Sequence, residues 1–301
     1  MTSTTYAAAS ASTAPARQPR YADRKLSFLG MVRSEALKFR TLTTNWVMTG
    51  VIALVMVGLA AMYAAVINAM AEDAEMMAQA QEGMASSNAG IETVTNMAYA
   101  LGSAGMDMAN MLVASVAAVF IGSEYATRSI QTSMTVAPRR SALYLAKLLV
   151  LTVYGFVLGT LLACASFWAG YALLNSSIQD SIEVNQGLVL NWVAAGLYFV
   201  FMVWMGYGFG ALLRNNAGGI VLVVVVFLIL PIVAALFVTQ YEWVADAFNY
   251  LPSGLGRVIL TYDLSPDAEI GYLEGGTWFA LWGAVPALLG WLRFTFTDAK
   301  G

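Results

Sequence analysis

Long apolar runs alternate with short polar, charged segments along most of this chain. A helix that crosses a bilayer needs about 20 mostly apolar residues. Six segments meet or approach this length, at about residues 46–70, 104–122, 148–174, 192–213, 218–238 and 277–294. We therefore predict an all-α, polytopic membrane protein, with a single six-helix transmembrane domain over residues 27–296. The second segment contains Asp107, and the short sixth segment contains Pro286. A five-span chain, which would place the two termini on opposite sides, is therefore the alternative.

The composition supports a membrane protein. Of the 301 residues, 59% are hydrophobic and 11% are charged, whereas about 25% charged residues is usual for a soluble protein. The chain contains no histidine, and its single cysteine is Cys164. An intrachain disulfide and histidine-based catalytic or metal sites are thereby excluded. We expect no catalytic residue and no metal site in this chain.

Basic residues are distributed unevenly among the segments that connect the spans. Seven lie in the first 44 residues and four in segment 123–147, while Arg214, Arg293 and Lys300 follow. The remaining connecting segments are acidic, and Arg257 is their only base. Because cytoplasmic segments are rich in Lys and Arg, this pattern predicts that both termini are cytoplasmic.

The segment before the first span divides into two parts. Residues 1–26 are small, polar and basic, and they predict a disordered cytoplasmic tail. From Ser27 onward, an apolar side formed by Phe28, Met31, Val32 and Phe39 alternates with basic residues. This pattern predicts a short amphipathic helix on the cytoplasmic surface. A plain basic anchor beside the membrane is the alternative.

A polar, basic insert, GSEYATRSIQTSMTVAPRRSALYLAK, occupies residues 122–147 between the second and third spans. Before Pro138, Ile130, Met134 and Ala137 follow the i, i+4, i+7 spacing of one helix face. This insert predicts a cytoplasmic helix with one apolar stripe. The residues leave open whether lipid or a partner protein covers the stripe.

Motifs and charges in the sequence also limit the possible transport mechanisms. The sequence lacks a G-x-x-x-x-G-K-[ST] motif, so the chain cannot hydrolyse ATP by a P-loop. Within the predicted spans the only ionisable side chain is Asp107, at a helix end, which disfavours an ion-coupled transporter. Glycine pairs spaced for close helix contact favour packing within the chain over a dimer seam. These pairs are Gly155 with Gly159 and Gly206 with Gly210.

Four segments together resemble the membrane permease of a type-2 ABC exporter system. Residues 34–46, SEALKFRTLTTNW, together with the preceding Arg33, are similar to the family's opening stretch, with Arg33, Glu35 and Lys38 as its charges. The short turn LLRNNAGG and the outer segment NYLPSGLGRVIL are similar to family features as well. The most specific segment is the insert, in which Arg128–Ser129 replaces the usual Gly-Thr pair. Its matching positions are Glu124, Arg128, Ser129, Pro138, Arg140 and Lys147.

The resemblance implies a division of labour. Such permeases form homodimers or heterodimers in the plasma membrane and bind two copies of a cytosolic ABC ATPase. The ATPase binds ATP and Mg, and this chain binds no cofactor and no nucleic acid. The helix at 27–42 would be a connecting helix containing Arg33, Glu35, Lys38 and Arg40, and residues 243–260 would form an outer re-entrant helix pair. The insert would be the coupling helix that contacts the ATPase, through Glu124, Tyr125, Arg128, Ser129, Ile130, Met134, Arg139 and Arg140.

The expected function is therefore the permease subunit of an efflux system that is driven by a separate ATPase. The apolar, aromatic spans favour a small amphipathic or hydrophobic substrate that moves outward. A secondary transporter or channel without an ATPase and a non-transport membrane scaffold are the alternatives.

Overall fold

The computed structural model describes residues 27–80, 87–127, 129, 140–262 and 268–297. Within these ranges the regular elements are helices, and six of them are long and apolar enough to cross a membrane. The chain therefore has the architecture of a multi-pass membrane protein. The predicted tail at 1–26 lies outside the described residues, as does most of the proposed coupling helix.

Twelve α-helices follow one another in the described part of the chain. The chain also contains a 3₁₀ turn at Ala100–Gly102 and a π-helical turn at Val225–Ile229. The α-helices are α1 (Phe28–Thr41), α2 (Thr43–Ala80), α3 (Ser87–Tyr99), α4 (Met106–Ala126), α5 (Arg140–Tyr171), α6 (Ser176–Gln179), α7 (Gln186–Leu213), α8 (Asn216–Val224), α9 (Leu230–Ala235), α10 (Glu242–Asn249), α11 (Pro252–Leu260) and α12 (Tyr272–Phe296).

The six-span prediction is confirmed in number, and most of the spanning helices are longer than predicted. They cover Thr43–Asp73, Thr93–Ala126, Arg140–Tyr171, Gln186–Leu213, Asn216–Ala235 and Tyr272–Phe296. Both segments on which the five-span alternative depended form full-length helices. Asp107 lies in the first turn of α4, as expected for an acid near a helix N-terminus.

Helix α7 occupies the centre of the bundle and packs against α4, α5 and α12. The four glycines selected from the sequence all lie at these contacts: Gly155 and Gly159 face α7, whereas Gly206 and Gly210 face α4. A Cβ atom at Gly206 would overlap the backbone of Ala114. These glycines therefore allow helices of the same chain to approach closely.

The fifth span is interrupted near its middle. Pro231 has no N–H group, so it cannot donate a hydrogen bond to the carbonyl of Phe227 four residues earlier. The π-helical turn at Val225–Ile229 ends two residues before this proline. Phe227 is buried there and makes an edge contact with Phe279 of α12. This is the least buried of the six spans, so most of its surface faces away from the rest of the chain.

The two ends of the bundle differ in charge. We call the end that carries α1 and the α7–α8 turn the basic end, and the end that carries α3, α6, α10 and α11 the acidic end. Helices α10 and α11 occupy the segment where a pair of outer helices was expected. Pro252 begins α11, a position where its missing N–H group has no cost.

Candidate functional site

Four charged side chains from three helices meet at the basic end. We call Glu35, Lys38, Glu124 and Lys147 the four-charge cluster. The Nζ atom of Lys147 lies 2.6 Å from Oε2 of Glu35 and 2.6 Å from Oε1 of Glu124. The Nζ atom of Lys38 lies 2.9 Å from Oε1 of Glu35 and 3.4 Å from Oε1 of Glu124. Each ammonium group therefore bridges both carboxylates.

The cluster lies mostly away from solvent. The side chain of Lys147 is 0% exposed, that of Glu35 is 3% exposed and that of Glu124 is 11% exposed. Only Lys38, at 41%, reaches the surface. Removing a charge from water is costly unless oppositely charged partners compensate for it. Two acids and two bases give the cluster no net charge, which makes this degree of burial possible.

Aromatic rings form the apolar surroundings of Lys147. Its Nζ atom lies 5.2 Å from the centroid of the Phe120 ring, within the range of a cation–π contact. The Phe39 ring packs against Phe120 at 5.5 Å and against Tyr154 at 4.7 Å between centroids. The rings exclude water from the ion pairs, and this strengthens the attraction between the charges.

The surroundings of Lys38 raise the pKa of its ammonium group above the ordinary value. Partial burial by itself lowers this pKa, but the hydrogen bond to Glu35 and the negative charges of Glu124 and Glu35 outweigh that effect. Lys38 therefore remains protonated throughout the physiological range. The cluster keeps this positive charge at every pH at which a cell operates.

The sequence of α1 explains how Glu35 reaches the cluster. The hydroxyl of Ser27 caps the helix by accepting a hydrogen bond from the amide of Gly30. Glu35, Lys38 and Phe39 then share one face by their i, i+3, i+4 spacing. Asn45 donates to the carbonyl of Phe39 and fixes the turn into α2. This face packs against α5 and inserts both charge and aromatic surface into the bundle.

The predicted amphipathic helix is therefore present, but its buried face differs from the expected one. Met31 and Val32 are partly buried and Phe39 is buried, as expected for the apolar side, whereas Phe28 is exposed. Glu35 lies on the buried side because its buried partner, Lys147, comes from α5. Arg33 and Arg40, also predicted for the connecting helix, are exposed.

A second contact joins the α7–α8 turn to the start of the insert. Arg214 adopts the left-handed conformation with φ of 55°, which costs a non-glycine residue about 1 kcal/mol or more. Its guanidinium carbon lies 5.7 Å from the centroid of the Tyr125 ring. Its Nη2 atom donates to the carbonyl of Thr297 at 3.0 Å. Arg214 thus links Tyr125 to the end of α12.

The structure places only part of the predicted coupling helix. Glu124 belongs to the four-charge cluster, and Arg140 begins α5. The exposed hydroxyl of Ser129 lies 3.0 Å from that of Thr127. The predicted contact residues Arg128, Ile130, Met134 and Arg139 lie outside the described residues.

Sequence reasoning did not select Lys147 as a site residue. It also took Asp107 to be the only ionisable residue within the spans, and this is wrong because the spanning helices extend to include Glu124 and Lys147. One available signal was the placement of opposite charges just outside the two predicted spans that flank the insert. The pairing of Lys147 with Glu35 and of Glu124 with Lys38 has no signal in local spacing.

The arrangement joins three elements mechanically. We call the end of α4 and the start of α5, which flank the insert, its two arms. Glu124 lies on the first arm and Lys147 on the second, whereas Glu35 and Lys38 belong to α1. A displacement of either arm must carry the other elements with it or separate buried opposite charges.

No family model matches the sequence, and no match is found among curated proteins.

Proposed function

We propose that this chain is the membrane-spanning permease subunit of an ATP-driven export system whose ATPase is a separate protein. The observation that carries the proposal is the four-charge cluster. It joins α1 to both arms of the polar insert through buried ion pairs at 2.6 Å. A partner that docks on the insert would therefore act on α1, α4 and α5 together.

The identity of the clustered residues supports the same proposal. The resemblance to type-2 ABC permeases rests partly on Glu35 and Lys38 in one motif and on Glu124 and Lys147 in another. These motifs lie about 90 residues apart in the sequence, yet the four charges meet in one network. Their convergence gives a physical reason for charged residues at these positions.

The proposed mechanism assigns the free energy to the partner and the path to this chain. Two cytosolic ATPase subunits bind ATP and Mg and move the insert when they close. The buried ion pairs transmit this displacement to the spanning helices, because separating them would leave unpaired charges away from water. The complex contains two permease subunits in the plasma membrane and moves a small amphipathic substrate outward.

The test uses charge substitutions in the insert. The chain is reconstituted in proteoliposomes with the ABC ATPase that purifies with it, and ATP hydrolysis and export of an amphipathic dye are measured. The double variant Ile130→Asp with Met134→Asp should lose both export and permease-dependent stimulation of hydrolysis, because it charges the apolar stripe. The control, Gln131→Asp with Thr135→Asp, adds equal charge at the same spacing and should retain both activities.

Three results would contradict the proposal. Equal behaviour of the two double variants would show that the stripe does not contact the ATPase. Flux through the chain alone, driven by an ion gradient, would indicate a secondary transporter or channel. Absence of flux with the ATPase bound would indicate a membrane scaffold.

A further inference from the structure

A cavity of about 680 Å³ opens at the acidic end of the bundle, opposite the four-charge cluster. Its walls come from the first span, from α3, from the start of α4 and from the end of α11. Cavities of 300–1,000 Å³ are typical of small-molecule sites. The lining combines hydroxyl and amide groups, such as Thr93, Asn96 and Ser103, with apolar surface from Tyr63 and Met97.

An acid and a base lie side by side in this acidic-end pocket. The Nη2 atom of Arg257 is 3.7 Å from Oδ2 of Asp107, and the two side chains are 76% and 56% exposed. Arg257 is the only basic residue between Arg214 and Arg293. A pair so exposed is screened by water and contributes little to stability. Both groups therefore have free hydrogen-bonding capacity that a ligand can use.

Buried contacts position the helix segments that carry the two charges. One helical turn inward from Asp107, the side-chain amide nitrogen of Asn110 donates to the hydroxyl of Tyr198 at 2.9 Å. Gly256 also packs against the Tyr198 ring so closely that a Cβ atom at this position would overlap the ring. Gly256 thus lets α11 approach the bundle closely and positions Arg257. In the described part of the chain, Oδ1 of Asn110 is buried and accepts no hydrogen bond.

We propose that this pocket binds a small zwitterion with the ammonium and carboxylate groups of an α-amino acid and a large apolar substituent. The ammonium contacts Asp107, the carboxylate contacts Arg257, and the four charges alternate in sign. The apolar substituent lies against Tyr63, Met97 and Tyr262. Binding of this ligand does not depend on the proposed function. A further role, as the site from which exported substrate leaves, rests on the proposed function.

The placement of the two charges selects against other ligand classes. A simple anion that contacts Arg257 is repelled by Asp107, and a simple cation that contacts Asp107 is repelled by Arg257. In an α-amino acid the two charged groups share one carbon atom, so they can face both partners at once. The volume of about 680 Å³ leaves room beyond the charged groups for a bulky ring.

The experiment measures binding to the chain alone in lipid nanodiscs. The probes are L-phenylalanine, its amide, which is only cationic, and N-acetyl-L-phenylalanine, which is only anionic. We expect saturable binding of L-phenylalanine, at least tenfold tighter than that of either single-charge probe. Equal binding of all three probes, or no saturable binding of L-phenylalanine, would overturn the proposal.

Two variants test the assignment of each charge. Asp107→Asn should weaken L-phenylalanine binding about tenfold and favour the anionic probe over the cationic one, whereas Arg257→Gln should favour the cationic probe. Asp180→Asn removes an exposed acid at the same end outside the pocket and should change nothing. Loss of binding without these opposite switches, or an equal loss in Asp180→Asn, would overturn the assignment. Because no ATPase is present, failure here leaves the proposed function untouched.

Discussion

Lys147 is a lysine without exposed surface, and its ammonium group contacts neighbours from two other helices. Two of these neighbours are carboxylates at 2.6 Å, and the third contact is the face of Phe120. Ionisable residues within membrane helices are costly and usually serve a function. The burial of Lys147 and its two short ion pairs therefore distinguish this cluster from an exposed surface pair.

We predict that Lys147→Met destabilises the fold by about 3–5 kcal/mol, because it leaves two buried carboxylates without their cation. Lys38→Met removes the half-exposed cation of the same cluster, and we expect a loss of about 1 kcal/mol or less. The measurement is thermal denaturation in detergent, followed as the loss of the monodisperse peak. Equal losses in the two variants would contradict the burial argument.

Neutralising the two buried acids as well should restore most of the stability that Lys147→Met loses. The triple variant Glu35→Gln, Glu124→Gln and Lys147→Met contains no charge in the buried part of the cluster. The large cost of breaking a buried ion pair comes from the charge that is left uncompensated, and this variant leaves none there. A triple variant that is less stable than Lys147→Met alone would show that unpaired charge is not the cause of the loss.

The charged residues of the cluster can be identified in the sequence, but their convergence in space cannot. Glu35 was recognised as a motif residue, yet its partner Lys147 lies 112 residues away, and Lys38 lies 86 residues from Glu124. Helical periodicity shows which residues share a face with Glu35, but it carries no information about what that face contacts. Arg214 is similar, because its contacts with Tyr125 and Thr297 depend on how three helix ends converge.

At the scale of elements, the glycine spacing anticipated close helix contacts, and the structure supplies the partner of each. Gly206 of α7 lies against the backbone of Ala114 in α4. We predict that Gly206→Leu destabilises the protein by about 3 kcal/mol or more, since overpacking forces the two helices apart. Gly58→Leu is the matched control, because no atom lies within 4 Å of a Cβ there. Denaturation midpoints compare the two, and a similar loss at Gly58 would refute the packing explanation.

The apolar runs predicted which spanning helices are present, but they did not predict where those helices begin and end. Helix α2 has 38 residues, while the predicted first span had about 25. The length of an apolar run measures the thickness of hydrocarbon that a helix must cross, and polar helical turns can continue beyond it. The same difference at α4 and α5 places Glu124 and Lys147 inside the spanning helices rather than in the insert between them.

At the scale of the whole molecule, the six spans determine which ends of the chain lie on the same side of the membrane, and this can be tested directly. Adjacent spans must run in opposite directions, so α1 and the end of α12 belong to one side and α6 to the other. The distribution of bases predicts that α1 is cytoplasmic. The buried cluster and the contact of Arg214 with Thr297 hold that side together. The proposed ATPase contact and the proposed ligand pocket would then face opposite compartments.

Sided cysteine labelling in intact cells tests this arrangement. Cys164→Ser removes the only native thiol, and single cysteines replace exposed Ser34 on α1, Ser177 on α6 and Thr297 after α12. A membrane-impermeant maleimide should label Ser177→Cys in intact cells, and it should label Ser34→Cys and Thr297→Cys only after permeabilisation. Labelling of the Ser34 and Thr297 positions from opposite sides would require an odd number of crossings. Labelling of both from outside would invert the chain and place the insert where no cytosolic ATPase could reach it.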